Sequence, residues 1–211
     1  MLITAGPTYE PIDPVRFIGN HSSGKMGFAL SDAFLRAGAN VWLIAGPTQI
    51  NPEFIPERFI RVTTAKEMYQ ESIQLFPHCD IAILAAAVAD YRPVRPESKK
   101  IRSAAPELVI KLEKTEDIAE ALGKLKNEGQ IIVGFALETH NEKEHAKEKL
   151  RKKNFDFIVL NSLRDPGSGF GHDTNLITII DADFNTLTYK LKHKLDVALD
   201  ILDVIAKKLQ D

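Results

Sequence analysis

Cysteine is nearly absent. Cys79 stands alone in 211 residues, so neither an intrachain disulfide nor a cysteine-based zinc cluster can form, and a reducing compartment suits the chain. Charge of one sign is scarce too: 27 Lys and Arg against 29 Asp and Glu leave a net charge of −2. That gives no electrostatic case for nucleic acid or for a membrane surface, whose binders carry a basic excess or a basic face. No stretch reaches the roughly 18 apolar residues of a membrane span. The opening MLITAG has neither a basic leader nor a cleavage signature. The expectation is a soluble, cytoplasmic protein with no nucleic-acid or membrane partner.

Two nucleotide-binding signatures are missing as well. No G-x-G-x-x-G follows the first apolar run, which counts against an ordinary NAD(P)-dependent dehydrogenase. Gly19, Gly24 and Lys25 come close to G-x-x-x-x-G-K-[ST], but Met26 occupies the place of the magnesium-binding hydroxyl. The motif also lies well past the strand that it should follow directly. A P-loop is excluded on both counts.

What is present is ordinary globular composition, 44% hydrophobic and 27% charged, in a length that suits one domain spanning residues 1–211. Short β-branched runs at Leu2–Ala5, Val41–Ala45, Phe59–Val62, Asp80–Leu84, Ile131–Phe135 and Phe157–Leu160 read as strands. Segments of helical period near Ser23–Arg36, Ala65–Phe76, Glu116–Lys126 and Glu142–Lys153 alternate with them. After Asn161, Leu176–Ile180 and Thr186–Lys190 flank a turn-rich DADFN and predict a hairpin, followed by a final helix over Lys194–Leu209. The fold class is therefore α/β: a Rossmann-like, doubly wound, mostly parallel sheet with a C-terminal antiparallel hairpin. Between Asp90 and Leu108, YRPVRPESKKIRSAAPE has three prolines and five basic side chains, the composition of a long mobile loop able to act as a lid.

Several segments could carry chemistry. Ser22, Ser23 and Gly24 precede a helical pattern and would lie at a helix N-terminus, either as an anion site or as an ordinary cap. Arg16 and Asn20 sit in a stretch stiffened by Pro7, Pro11 and Pro14, where a guanidinium can grip an anion and an amide can hold a carbonyl. Both could equally be satisfied loop residues. The fourth strand ends in LAAAVADY, where small side chains allow a ligand to approach backbone or a helix to pack tightly. Asp90 could bind a metal, a ribose hydroxyl or an amide, or shape a turn. Phe135 could pack against a base or belong to the core. Lys149 and Lys153, four apart on a charge-dense helix, share one face and could converge on a polyphosphate.

The run ITAGPTYEPIDPVRFIGNHSSGKMGFAL, then AAVADY, KIRS, ELVIKLEKTEDI, VGFALET and the basic helix, resembles the phosphopantothenoylcysteine synthetase domain. That domain is the second half of the bifunctional bacterial coenzyme A enzyme. The resemblance spans roughly residues 1–181. It implies that Asn20 and Lys100 are catalytic, and that Leu84, Ala85, Ala86, Asp90, Lys100, Phe135, Lys149 and Lys153 contact the nucleotide. Glu113, Lys114, Thr115 and Glu116 would line its base and sugar. Arg16, Asn20, Ala86, Ala87 and Asp90 would bind the pantothenate portion, Arg16 from the neighbouring subunit. Arg102 and Ser103 replace later lysines of the family's K-x-K-K lid motif, removing one positive charge.

The implied reaction joins 4′-phosphopantothenate to L-cysteine through an acyl-cytidylate, with CTP as co-substrate and Mg²⁺ as divalent cation. The metal ligands and the cysteine site stay unassigned. The resemblance further implies a homodimer and a possible association with a flavin-dependent decarboxylase domain, no flavin being expected in this chain. Two alternatives stand beside it: an NAD(P)-dependent Rossmann oxidoreductase and a non-catalytic nucleotide-binding module.

Overall fold

The computed structural model describes residues 1–102, 107–138, 142–162 and 167–210. Its centre is an eight-stranded sheet of β1 (Leu2–Ala5), β2 (Trp42–Ala45), β3 (Arg58–Arg61), β4 (Ile81–Leu84), β5 (Ile131–Glu138), β6 (Phe157–Ser162), β7 (Thr178–Asp181) and β8 (Thr186–Thr188). The spatial order is β8-β7-β6-β5-β4-β1-β2-β3. The strands from β3 across to β6 run parallel, while β7 and β8 add antiparallel pairs at one edge. The predicted doubly wound sheet and its terminal hairpin are thus both present, with the hairpin strands shorter than the sequence pattern suggested.

Among the described residues, five α-helices cover the sheet: α1 (Lys25–Arg36), α2 (Ala65–Leu75), α3 (Ile118–Leu125), α4 (Glu142–Lys152) and α5 (Lys194–Lys208). Side chains alternate across each strand, so neighbouring residues feed different cores. Ile3 and Ala5 join Phe28 and Leu30 of α1 and Val197, Ile201 and Ile205 of α5 on one face. Leu2 and Ile44 join Met68 of α2, Leu122 of α3 and Leu150 of α4 on the other. Burial on both faces is why these strands read as continuous apolar runs.

Three local readings need correction. α1 begins at Lys25, not at Ser23; its N-cap is Gly24, in the left-handed region at φ 85°, and no side chain caps it. The proline-rich stretch after β1 is an antiparallel ribbon, Tyr9–Pro11 against Phe17–Gly19, fastened by Tyr9 and Phe17 rings stacked at 3.8 Å. The segment after Asp90 is not wholly a loop. Tyr91–Pro93 pairs antiparallel with Leu112–Lys114, with Arg92 bridging to Glu113 at 3.0 Å and Glu116 at 2.9 Å. Ser103 lies outside the described residues.

α1 approaches β1 so closely that only glycine fits at one point: a Cβ on Gly27 would sit 2.5 Å from the Ala5 Cβ. Replacing Gly27 with valine should lower unfolding stability by at least ~1–3 kcal/mol, the usual cost of overpacking. A urea titration checks this, and an unchanged midpoint would show that α1 can shift away from β1.

Candidate functional site

β1 is flanked by β4 on one side and β2 on the other, and the chain leaves β1 and β4 toward opposite faces of the sheet. Open α/β sheets bind ligands at the carboxyl ends of strands where the winding reverses in this way. A cleft of about 740 Å³ opens at that place. Its floor is the Leu84–Val88 run, zipped to the turn after β1 by Ala86 N donating to Thr4 Oγ1 (3.3 Å), Ala87 N to Gly6 O (2.9 Å) and Ala89 N to Thr8 Oγ1 (2.9 Å). Ala85 packs on the α1/α5 face and Ala86 on the other, while both still line the cleft. The small side chains therefore serve tight packing and leave room above it.

Ser22, Ser23 and Gly24 line the cleft at the N-terminus of α1. The Ser22 hydroxyl oxygen accepts from Gly24 N at 3.3 Å, and no side-chain cap bonds the start of the helix among the described residues. That is the arrangement that draws anions.

Lys114, Thr115, Glu116, Phe135, Lys149, Lys153 and Asp90 line the same cleft. Thr115 is fixed by Oγ1 donating to Ala89 O (2.6 Å) and its N–H to Asp90 O (3.0 Å). Lys149 Nζ donates to Phe135 O at 2.8 Å. Lys153 does share a face with Lys149, but its ammonium is held by Asp117 (2.5 Å) and Glu120 (3.1 Å). Burial would lower the Lys153 pKa; the bonds to those two carboxylates outweigh it, and the net shift is upward.

Four expected residues lie outside the cleft lining. Asn20 stands at its rim, with Nδ2 donating to Ala87 O (2.9 Å) and Val88 O (3.2 Å). Glu113 is turned toward Arg92. Arg16 and Lys100 meet through a latch. The Asp13 carboxylate, fully buried, accepts from Val15 N (2.8 Å), Arg16 N (2.8 Å) and Ile101 N (3.1 Å), and pairs with Arg16 Nη1 (2.8 Å). Arg16 Nη1 also donates to Ile101 O at 3.3 Å. Burial alone would raise the Asp13 pKa, yet the backbone N–H donors and Arg16 together hold it below the usual carboxylate range. The residue after Lys100 is thereby tied to the first ribbon, leaving Lys100 exposed on the arm.

The sequence reading missed Lys25, Asp117, Glu120, Asn161, Asn175 and Lys194, all of which line the cleft. Lys25 went with the rejected P-loop. Asp117 was visible as a helix cap, its carboxylate accepting from Glu120 N at 2.8 Å. Asn175 and Lys194 come from the C-terminal segment, where no local motif marks them. Among the described residues, six lysines (25, 114, 149, 152, 153 and 194) and four carboxylates (90, 116, 117 and 120) line the cleft. The site is thus cationic within a chain of net charge −2.

A parallel sheet in the order 3-2-1-4-5-6, with an uncapped helix and surplus lysines at the switch point, defines an α/β protein whose strand-end cleft has the charge that suits an anionic ligand. The chain belongs to the DNA/pantothenate metabolism flavoprotein C-terminal domain family, whose model matches residues 1–209. It is 43% identical over 207 residues to the coenzyme A biosynthesis bifunctional protein CoaBC of Bacillus subtilis, covering 98% of this chain and 50% of that one. It is 54% identical over 202 residues to a cysteine/cysteine sulfinic acid decarboxylase of an unknown prokaryotic organism, covering 96% of this chain and 56% of that one. The crystal structure of the C-terminal domain of a CoaBC protein superposes with a TM-score of 0.83 at 42% identity, over all of this chain and 95% of that one. The chain therefore spans about half the length of the curated relatives it matches.

Among the described residues no three His, Cys, Asp or Glu side chains cluster as a metal cage, and no helix is long and apolar enough to cross a membrane. The cleft carboxylates suit a magnesium ion that is carried mainly by phosphate oxygens and water, with one protein carboxylate such as Asp90.

Glu120 is pulled down to about 2, first by the hydrogen bond from Lys124 and next by that from Lys153. An acid depressed in the folded state favours folding above its ordinary pKa, and that contribution fades as pH falls through about 2. Carboxyl-carbon NMR titration should show this low value, and Lys153→Met should raise it. An unmoved titration would mean that Lys124 alone sets it.

Proposed function

We propose that the chain is the ligase portion of a coenzyme A biosynthetic enzyme. It joins the carboxylate of 4′-phosphopantothenate to the amine of L-cysteine through an acyl-cytidylate, consuming CTP and releasing pyrophosphate and CMP in the cytoplasm. One observation carries the reading: a lysine-lined switch-point cleft in a chain 43% identical to a coenzyme A biosynthesis bifunctional protein. The decarboxylase activity in the name of the 54% relative is assigned to the part of that protein beyond this chain, where the resemblance expects a flavin-dependent domain.

A carboxylate acylates poorly because direct attack by an amine must expel oxide. Transfer of a nucleotidyl group to the carboxylate solves this, but it brings one anion onto another, so cations and positioning dominate. Lys149 and Lys153 border the cleft. Lys100, exposed on the latched arm, is the lysine that arm closure would deliver. Magnesium, when bound to the phosphates, adds neutralising charge. Asn20, at the rim beside Ala87, is assigned to hold the acyl carbonyl for attack by cysteine. Arg16 pairs with Asp13 and is not among the residues lining its own cleft, which fits a homodimer in which it serves the partner's site.

The test is pyrophosphate release with phosphopantothenate, cysteine, Mg²⁺ and either CTP or ATP. Release with CTP is expected; none with either nucleotide removes the reading. Lys100→Gln should slow the first step by roughly 100-fold, the scale of losing one charge that stabilises a transition state. A normal rate of intermediate formation would reject that role. The strand order also suits a nicotinamide dinucleotide. Binding of NAD(P) without CTP would favour an oxidoreductase, and CTP binding without turnover a nucleotide-binding module.

A further inference from the structure

α4 has little apolar surface to hold it. Of its 11 residues only Ala146 and Leu150 are buried, so a single narrow stripe seats the helix on β5 and β6. Successive residues of a helix are turned by about 100°. Lys147 and Arg151 therefore lie on one flank of that stripe, and Lys149, with Lys153 one turn further on, lies on the other. Lys149 and Lys153 line the cleft. A helix seated on so narrow a stripe can roll about it, and a roll would carry both ammonium groups across the mouth of the cleft.

The far flank of α4 meets the turn between β7 and β8. Phe184 packs against the α2/α3/α4 core, and its ring lies under the Arg151 guanidinium at 4.3 Å and the Lys147 ammonium at 5.6 Å. Two cations from successive helical turns on one ring resist rotation of the helix. Phe184 itself is in the left-handed region, at φ 66°, an outlier for so bulky a side chain. The turn enforces that conformation. Phe184 N donates to Asp181 O (3.0 Å), Asp181 Oδ1 accepts from Asp183 N (3.0 Å) and Asn185 N (2.8 Å), and Oδ2 accepts from Asn185 Nδ2 (2.9 Å). Such strain persists only where its surroundings over-determine it. A glycine would take the turn without strain, but it would bring no ring to α4.

We propose that Phe184 is a positioning residue for the cleft: its ring fixes the roll of α4 through Arg151 and Lys147, and so sets where Lys149 and Lys153 point. Its consequence for catalysis rests on the nucleotide-using reading above, whereas the clamp is a property of the free protein. On the cleft side Lys149 donates to Phe135 O, and Lys153 is held by Asp117 and Glu120. Those are the bonds that the two ammonium groups would exchange for phosphate oxygens. The grip on the far flank is the one that stays in place while a ligand binds.

The test compares the full wild-type chain with Phe184→Leu, which keeps apolar bulk and the strained turn but has no π face, and with Phe184→Tyr, which keeps the face. In the free protein, amide hydrogen exchange within α4 should quicken by roughly fivefold or more in Phe184→Leu, the effect of losing two cation–π contacts, while β1 and β4 exchange as before. The Kd for CTP by calorimetry, and its KM, should rise by roughly threefold or more, with the KM for cysteine within about twofold. Phe184→Tyr should restore both readouts. Should Phe184→Leu fail to fold, Arg151→Gln, at an exposed side chain, carries the test from the helix side. Unchanged exchange in α4 overturns the assignment. So does a lower rate at unchanged KM and CTP affinity, which is mere loss of folded protein, or a tyrosine variant as impaired as the leucine one. A wild type that binds no CTP overturns it too. Weakened CTP binding in Phe184→Leu, beside a wild type that releases no pyrophosphate, would sink the ligase reading and leave the clamp standing.

Discussion

Close approach of backbone to backbone at the carboxyl ends of β1, β2 and β4 is the constraint on which the rest depends. A Cβ on Gly46 would lie 1.7 Å from Pro7 O, and one on Gly27 would strike Ala5. Ala87 N meanwhile bonds Gly6 O across the switch point. With side chains this small, the turn after β1, the alanine run after β4 and the start of α1 draw together and form one wall. The cleft is what remains above it, and its polar character follows, because backbone N–H groups and a helix terminus are exposed where side chains are absent.

From that wall outward, the site is assembled by groups that hold one another. Asp13 ties the basic arm to the first ribbon through three N–H donors and Arg16. Arg92 ties the second ribbon to the start of the α3 segment through Glu113 and Glu116. Asp117 both caps α3 and receives Lys153 from the end of α4. The polar layer above the sheet is a chain of such paired contacts, each using a residue that sequence reading places in a loop or at a helix end.

Much of this was legible beforehand. Period and β-branching located five of the six parallel strands within a residue or two, and the start of the sixth, β5, which runs three residues past the expected Phe135 to Glu138, since each strand lies between two apolar layers and carries few polar side chains. The Ser22–Gly24 turn, the alanine run and the Lys149/Lys153 face were found from residue type and spacing, and all line the cleft. The ribbons were not found, because three-residue strands rich in proline have no periodicity to detect; only pairing across the chain, such as Tyr9 on Phe17, reveals them. Lys194 and Asn175 were invisible for a related reason. A lysine opening an amphipathic helix reads as a solvated charge, and only the tertiary fold buries it. Lys153 shows the converse: spacing put it beside Lys149, but its neutralising partners come from another element.

The packing of α5 on α1 carries a consequence for how the protein comes into being. The face of the sheet that α1 begins to cover is completed by Val197, Ile201 and Ile205, residues near the chain's far end. During synthesis the first βαβ unit must wait, with Phe28 and Leu30 half covered, until almost the whole domain has left the ribosome. Its native contacts are dominated by long loops to close, which favours slow folding and a need for protection while the nascent chain is incomplete.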